Sequence, residues 1–106
     1  MTKHNYKTRP YIRGRAFEYR VRDFYIKQGW FVVRSARSKG PCDLIAVKPV
    51  GCCTLHSEVL LIQCKVNRSD LSMVEQQALI TLATSLNAMP ILAHRFNKKL
   101  AIEVLK

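Results

Sequence analysis

Apolar residues recur along the chain with two different periods, and each period predicts one type of secondary structure. Four apolar residues within 11–28 have helical spacing, namely Phe17, Val21, Phe24 and Tyr25. Gly29 follows as a helix stop. A second helix is predicted from the capping-box pair Ser72 and Glu75 to about Leu86, where Asn87 can end it. Its core-facing residues are predicted to be Ala78, Leu79, Leu82 and Leu86.

Five runs rich in apolar, aromatic or β-branched residues predict strands. They are Trp30–Ser35, Cys42–Lys48, Glu58–Val66, Pro90–Phe96 and Leu100–Leu105. Trp30 and Phe31 are interpreted as core residues, because large aromatic side chains in a strand usually pack inside. The order α-β-β-β-α-β-β predicts an α/β fold, with a central mixed sheet of about five strands flanked by helices.

The chain is predicted to form one domain at 11–106, preceded by a flexible basic arm at 1–10 that ends at Pro10. The start, Met1 to Arg15, has no apolar stretch typical of a secretory signal. Cys42 and Cys64 lie in apolar runs, whereas Cys52 and Cys53 lie in a predicted loop. None of these cysteines has C-x-x-C spacing, so a zinc site is not expected. An intracellular, cytoplasmic location fits this composition best, in the host cell if the protein is viral.

The charge balance narrows the class of partner. Lys and Arg number 18 against 7 acidic residues, for a formal charge of +11, while 48% of residues are hydrophobic. A folded domain with this excess favours a polyanionic partner, and nucleic acid is the leading candidate. A membrane surface is the competing interpretation, but the sequence has no run of about 18 apolar residues and no long amphipathic basic helix.

The basic residues concentrate in the first part of the chain. The candidate phosphate contacts are Arg13, Arg15, Arg20, Arg22, Arg37 and Lys39, with Lys3, Lys7 and Arg9 before them. An ordinary solvated helix face is the alternative for the arginines of the first helix. Phosphate contacts of this kind position a protein on DNA without reading sequence.

Three polar residues stand in or beside otherwise apolar strands. Asp43 opens the second strand, and Gln63 and Lys65 lie two apart on the third, so the latter two share a face. If these strands pair, Asp43 can join them. A carboxylate can hold Mg²⁺ or Mn²⁺, and a nearby lysine can stabilise the charge that develops in phosphodiester hydrolysis. Glu18 and the backbone carbonyl of Cys64 would complete an oxygen shell.

Glu18 has an ordinary alternative. Arg15 lies three residues before it and Arg22 four residues after it, and both spacings allow an ion pair on the helix surface. By spacing alone, this surface pair is the better interpretation of Glu18.

Three stretches resemble the PD-(D/E)xK nuclease superfamily, and more closely the archaeal-type Holliday junction resolvases, which also occur in some viruses. They are R-G-R-A-F-E at 13–18, G-W-F-V-V-R-S-A-R-S-K-G-P-C-D-L-I-A at 29–46, and L-L-I-Q-C-K-V at 60–66. The resemblance covers 11–105 and implies a restriction-endonuclease-like core. It also implies that Glu18, Asp43 and Lys65 are catalytic or metal-site residues.

The same resemblance implies roles for three more residues. Gln63 takes the metal-side position on the third strand, Arg34 matches an arginine near the scissile phosphate, and Ser38 matches a serine that precedes the aspartate. Most members have Glu or Asp where this chain has Gln63. A neutral amide donates an oxygen but no charge, so metal affinity should be weaker or another carboxylate must compensate.

The function implied is that of a metal-dependent endonuclease of DNA recombination and repair that resolves four-way junctions, acting as a homodimer. A C₂ dimer would match the two-fold arrangement of the strands in the junction. Two other hypotheses remain: a nuclease with the same core that cuts linear duplex DNA, and a DNA-binding protein without catalytic activity. Cleavage of different DNA structures separates the first two, and metal-dependent cleavage separates both from the third.

Overall fold

The computed structural model describes residues 10–35, 40–49 and 57–106. Its helices are α1 (Pro10–Lys27) and α2 (Met73–Ser85), and a 3-10 turn covers Arg68–Asp70. Its strands are β1 (Phe31–Arg34), β2 (Leu44–Pro49), β3 (Ser57–Cys64), β4 (Met89–Phe96) and β5 (Lys99–Val104). The predicted order of elements and the α/β class are confirmed. Within the described ranges, neither helix is long and apolar enough to span a bilayer.

The strands form a single mixed sheet in the order β1-β2-β3-β4-β5. All neighbouring pairs are antiparallel except β3 and β4. Parallel neighbours need a crossover connection, and α2 provides it. The β2–β3 register places Leu44 beside Ile62, so the start of β2 lies next to the end of β3. This register brings together the two segments that hold Asp43, Gln63 and Lys65.

Each face of the sheet has its own apolar core. On one face α1 buries Phe17, Val21 and Tyr25 against β2, β3 and β4. On the other face α2 packs Leu79 and Ala83 against a second buried cluster from the sheet. Alternate residues of a strand point to opposite faces, so β3 contributes to both cores, which explains its nearly continuous apolar run.

Local sequence signals mark the beginning or end of several elements. The Ser72 side chain accepts from the Glu75 backbone N–H, and the Glu75 side chain accepts from the Ser72 N–H, which forms the capping box. Gly29 has a φ of 94° after α1, and Asn87 has a φ of 57° after α2. Asn97 and Lys98, both with positive φ, form the two-residue turn between β4 and β5.

Several predicted boundaries and burial assignments were wrong. Pro10 belongs to α1 rather than to the arm, because proline is well tolerated in the first turn of a helix. Residues 1–9 of that arm lie outside the described residues. β3 ends at Cys64, although the Lys65 N–H still donates to Ala93 and continues the pairing with β4.

The exposed side chains also differ from expectation. Phe31 is 69% exposed and Leu86 56%, although both were predicted to be core residues. Val33 pairs with Ile45, which pairs with Leu61 of the α2-side core. Val33, and Phe31 two residues before it, therefore lie on the face that carries α2. Since α2 packs on β3 and β4, it leaves β1 uncovered on that face. Leu86 is the C-terminal cap residue of α2, beyond its packed turns.

Candidate active site

Asp43 is held by backbone hydrogen bonds at the point where β2 begins. Its N–H donates to Ile62 O at 2.8 Å, and its carbonyl accepts from the Ser35 N–H at 2.8 Å. Its Oδ2 accepts from the Cys64 N–H at 2.9 Å. Among the described residues, Asp43 is the only charged residue that is buried, with 5% exposure. Main-chain groups of β3 and of Ser35, just after β1, hold Asp43, so the position of its carboxylate follows from the strand pairing.

Gln63 and Lys65 project from the end of β3 towards the α2 side of the sheet. Leu61 and Leu92 belong to the α2-side core, and Gln63 lies two residues after Leu61 and beside Leu92 in the register. The Lys65 Nζ donates to Glu75 Oε2 at 3.0 Å. A charge in an apolar run is costly without a partner, and the partner of Lys65 lies on α2.

Glu18 reaches the same region from α1, on the opposite side of the sheet. The Arg34 Nε donates to Glu18 Oε1 at 2.9 Å. The helix-surface interpretation of Glu18 was therefore wrong, and Arg22 instead pairs with its neighbour Asp23 at 3.0 Å. Arg34 also lies over the Tyr19 ring, with its guanidinium carbon 5.1 Å from the centroid.

Burial, with a further contribution from the nearby Asp43 carboxylate, raises the pKa of Glu18 above its ordinary value of 4.5, and the Arg34 hydrogen bond opposes this rise. The effect of Asp43 means that the two carboxylates are close enough to repel each other. Such a repelling pair favours a cation between or beside them, because a cation relieves the repulsion.

These side chains line one cleft of about 560 Å³, called the site cleft below. Its lining includes Glu18, Asp43, Gln63, Cys64, Lys65 and Glu75. The structure therefore brings together all the predicted catalytic residues, from α1, the start of β2 and the end of β3. A cleft of about 640 Å³ along α1, beside Leu100, contains none of them.

Glu75 was missed as a site residue because its capping box already accounted for it. Its Oε1 accepts from the Ser72 N–H at 3.0 Å, while Oε2 accepts from Lys65. These hydrogen bonds lower the pKa of Glu75 below its ordinary value, the Ser72 backbone first and Lys65 after it. The one signal in the sequence was indirect: a neutral Gln63 calls for a compensating carboxylate somewhere else.

The set of possible ligands for a metal is rich in oxygen. Among the described residues, no group of three or more His, Cys, Asp and Glu side chains has the arrangement of a metal site. The predicted shell differs from such a group, since it combines Asp43 and Glu18 with the Gln63 amide and the Cys64 carbonyl. Oxygen donors of this kind suit hard cations such as Mg²⁺ and Mn²⁺.

A second cleft, of about 240 Å³, is lined by three arginines and is called the arginine cleft below. Arg13 and Arg20 come from α1, and Arg95 comes from the end of β4, beside Val66. Arg95 was missed because no local pattern links β4 to α1. Three of the predicted DNA contacts, Arg37, Ser38 and Lys39, lie outside the described residues. Arg15 is exposed on α1.

The described thiols do not form a reactive site. Cys42 and Cys64 are free, and burial raises the pKa of each thiol, so both stay protonated at neutral pH. The Cys64 side chain packs against the α1-side core, and its backbone N–H rather than its sulfur contacts Asp43. The predictions for Cys52 and Cys53 concern residues outside the described ranges.

Comparison with known proteins decides the family. The model of a family described as archaeal Holliday junction resolvase (Hjc) matches residues 9–106, nearly the whole chain. The chain belongs to this family. The resolvase is therefore a DNA nuclease that resolves four-way junctions in recombination. No curated protein matches its sequence.

The fold of this resolvase is similar to that of Hjc from Archaeoglobus fulgidus, described as a Holliday junction resolvase from an archaeal hyperthermophile. The two share 24% sequence identity with a TM-score of 0.64. The alignment covers 88% of this chain and 71% of that chain. The predicted resemblance and the predicted mixed five-stranded sheet are confirmed by the family match and by this likeness.

Proposed function

We propose that the site cleft is the active centre of this resolvase and that hydrolysis there depends on a divalent cation, Mg²⁺ or Mn²⁺. One observation carries the proposal. The buried Asp43 carboxylate faces the cleft shared by Gln63 and Lys65, and lies close enough to Glu18 to raise the pKa of that carboxyl. The two carboxylates, the amide and the lysine therefore line the same cleft.

The residues of the cleft fit the cation. Both carboxylates line the cleft, and among the described residues hydrogen bonds engage only Oδ2 of Asp43 and Oε1 of Glu18, so the second oxygen of each can serve as a ligand. The Gln63 amide oxygen and the Cys64 carbonyl would complete the shell. When bound, the cation supplies Lewis acidity towards a phosphoryl oxygen and lowers the pKa of water.

The remaining groups have distinct roles in this proposal. Lys65, held by Glu75, stabilises the negative charge that develops on the phosphate. Arg34 holds Glu18 in place through the 2.9 Å hydrogen bond and adds positive charge near the scissile phosphate. Because Lys65 and Arg34 both have carboxylate partners, their side chains are oriented before the substrate arrives.

DNA binding is proposed for the basic surface that α1 presents. Arg13, Arg15, Arg20 and Arg22 would contact phosphates, together with Arg37, Ser38 and Lys39 of the segment between β1 and β2. Contacts to phosphate orient the protein on the backbone without reading bases. Recognition of this kind suits a nuclease that selects the shape of a junction.

A homodimer is proposed because the four-way junction has two strands to cut and the described part of each chain forms one such cleft. Exposed apolar side chains on the α2 side of the sheet support it. Phe31 and Val33 of β1, Val74 of α2, and Leu86 are 47–79% exposed. Val74 also lines the site cleft, so an interface there would border the active centre. The free thiols Cys42 and Cys64 are in keeping with an intracellular location.

The test of the active centre compares the wild-type protein with Asp43→Asn. Both are incubated with four-way, forked, nicked and linear DNA, with and without Mg²⁺ or Mn²⁺. We expect wild-type cleavage of the junction only with the metal, and a loss of at least about a hundredfold in Asp43→Asn. Junction affinity should change little, since most of it comes from phosphate contacts elsewhere. Undiminished cleavage by the variant would refute the assigned site.

The test of the dimer measures molar mass in solution for wild type and for Phe31→Asp. A charge in an apolar interface is costly, so the variant should dissociate at concentrations where wild type is dimeric. Lys99→Asp, on β5, is the matched control and should remain dimeric. A monomeric wild type at high concentration contradicts this part of the proposal.

A further inference from the structure

Glu75 connects the start of α2 to the lysine of the site cleft. Its two carboxylate oxygens have different partners: Oε1 accepts from the Ser72 N–H, and Oε2 accepts from Lys65 Nζ, each at 3.0 Å. The first contact is the helix cap. A cap needs one oxygen, and glutamine provides it as well as glutamate does. The contact with Lys65 is therefore additional to what the helix requires.

The charges in the site cleft explain what this contact does. Arg34 is paired with Glu18, and Lys65 is paired with Glu75. Without Glu75, the ammonium of Lys65 would stand in the same cleft as Asp43 with no carboxylate of its own, and it would oppose the binding of a cation. Gln63, which shares the cleft, carries no charge to offset it.

We propose that Glu75 is a positioning residue of the active centre, which holds Lys65 Nζ and supplies from α2 the negative charge that Gln63 lacks. This inference rests on the proposed function of the site cleft. The ion pair is partly exposed, with side-chain exposures of 23% for Lys65 and 42% for Glu75. Such a pair adds little to folding stability, so its effect should be seen in the site.

Two variants separate the contact with the lysine from the helix cap. Glu75→Gln keeps an oxygen for the Ser72 N–H but removes the charge opposite Lys65. Ser72→Ala removes the hydroxyl that caps the Glu75 N–H, at 3.1 Å, but leaves the Glu75 carboxylate and its contact with Lys65. Two quantities are measured on the full chain: the affinity for Mn²⁺ alone, by calorimetry, and the cleavage rate at saturating junction and metal.

For Glu75→Gln we expect a fall of about tenfold in Mn²⁺ affinity and of about 10–100-fold in cleavage rate, with a melting temperature close to wild type. For Ser72→Ala we expect the opposite: a lower melting temperature, with Mn²⁺ affinity and cleavage per folded molecule unchanged. A Glu75→Gln variant that binds Mn²⁺ and cleaves like wild type overturns the inference.

A second substitution on β3 tests whether the charge of Glu75 matters. If Glu75 served only the cap of α2, a change on β3 would not restore the lost Mn²⁺ affinity. Adding Gln63→Glu to Glu75→Gln should recover most of the Mn²⁺ affinity and part of the cleavage rate, since the charge returns to the cleft. No recovery overturns the charge argument. If wild type binds Mn²⁺ but cuts no junction, the proposed function fails, and the Mn²⁺ affinities still decide the role of Glu75.

Discussion

The site cleft and the arginine cleft differ in the partners of their positively charged side chains. In the site cleft, Lys65 hydrogen bonds to Glu75, and Glu18 accepts a hydrogen bond from Arg34. In the arginine cleft, the described lining contains Arg13, Arg20 and Arg95 and no carboxylate. The Arg20 Nη2 instead reaches the carbonyl of Lys98, at 3.4 Å.

Paired and clustered cations are suited to different tasks. A paired cation loses most of its long-range attraction but gains a defined direction, as a catalytic group requires. An unpaired cluster of arginines keeps its attraction for phosphate and tolerates many backbone geometries. From this comparison we expect the site cleft to perform the reaction and the arginine cleft to hold the DNA.

The largest expected effect is that of Lys65→Ala on the reaction. The change removes the ammonium from the site cleft and leaves Glu75 without its partner. Cleavage at saturating DNA should fall by about 10²–10⁴-fold, while junction affinity stays within about twofold, because a single oriented charge serves the chemistry more than the binding. Single-turnover rates and a binding titration measure the two effects separately.

The control for Lys65→Ala is Lys99→Ala, which removes an exposed lysine at the start of β5. It should cleave as fast as wild type. The comparison between the two clefts breaks down if Lys65→Ala weakens junction binding strongly and leaves the rate at saturation unchanged.

The next effect is expected from replacing Arg13, Arg20 and Arg95 together by alanine. The logarithm of the affinity falls linearly with the logarithm of the salt concentration, and each phosphate contact contributes about 0.9 to the magnitude of this slope. Loss of three contacts should therefore reduce the magnitude of the slope by about 2–3. The cleavage rate at saturating junction should stay near the wild-type value. Affinity measured over a series of salt concentrations tests this prediction.

Arg68→Ala is the matched control for a lost surface arginine, because Arg68 is already paired with Glu103. Its salt slope should resemble that of the wild type. A triple variant with an unchanged slope would remove the arginine cleft from the DNA-binding surface.

The smallest effect concerns that exposed pair, which lies outside both clefts. Arg68 donates to both oxygens of Glu103, at 3.1 and 2.9 Å, and this lowers the pKa of Glu103 below 4.5. Because the pKa of Glu103 is lower in the folded state, its ionised form stabilises the fold at pH values above the ordinary pKa. This stabilisation is lost as the pH falls through the lowered pKa. Solvent screening limits its size to about 0.2–1 kcal/mol.

Urea unfolding of wild type and Glu103→Gln tests this sign. At about pH 7 the free energy of unfolding should be lower for the variant, and at about pH 2 the difference should vanish. Cleavage should be unchanged, in contrast to Glu75→Gln. A stability difference that grows as the pH falls would contradict the assigned cause of the pKa shift.

The elements of the fold could be predicted because their signals are local. The helical spacing of Phe17, Val21 and Tyr25, the capping box at Ser72 and the stop at Gly29 each act within a few residues. The candidate site was predictable to the same extent: the i, i+2 spacing of Gln63 and Lys65 follows from strand geometry. Asp43 joined them because β2 and β3 are antiparallel neighbours.

Burial on the α2 side and the choice of ion-pair partners were not predictable in this way. Phe31 is a large aromatic residue typical of a core, but it lies where neither α1 nor α2 covers the sheet. Glu18 has Arg15 and Arg22 at suitable helical spacings, yet pairs with Arg34 of β1. Glu75 has a complete local explanation in the helix cap and still reaches a lysine of another element.

The amino-acid sequence alone determined the order of the helices and strands, the excess of positive charge, and the set of side chains capable of the chemistry. These depend on periodicity, capping and residue type, which are properties of neighbours in the chain. Only the tertiary structure decided which carboxylate holds which cation, and which apolar side chains stay exposed. Those outcomes depend on distances between segments far apart in sequence, which are set only when the sheet and the two helices pack together.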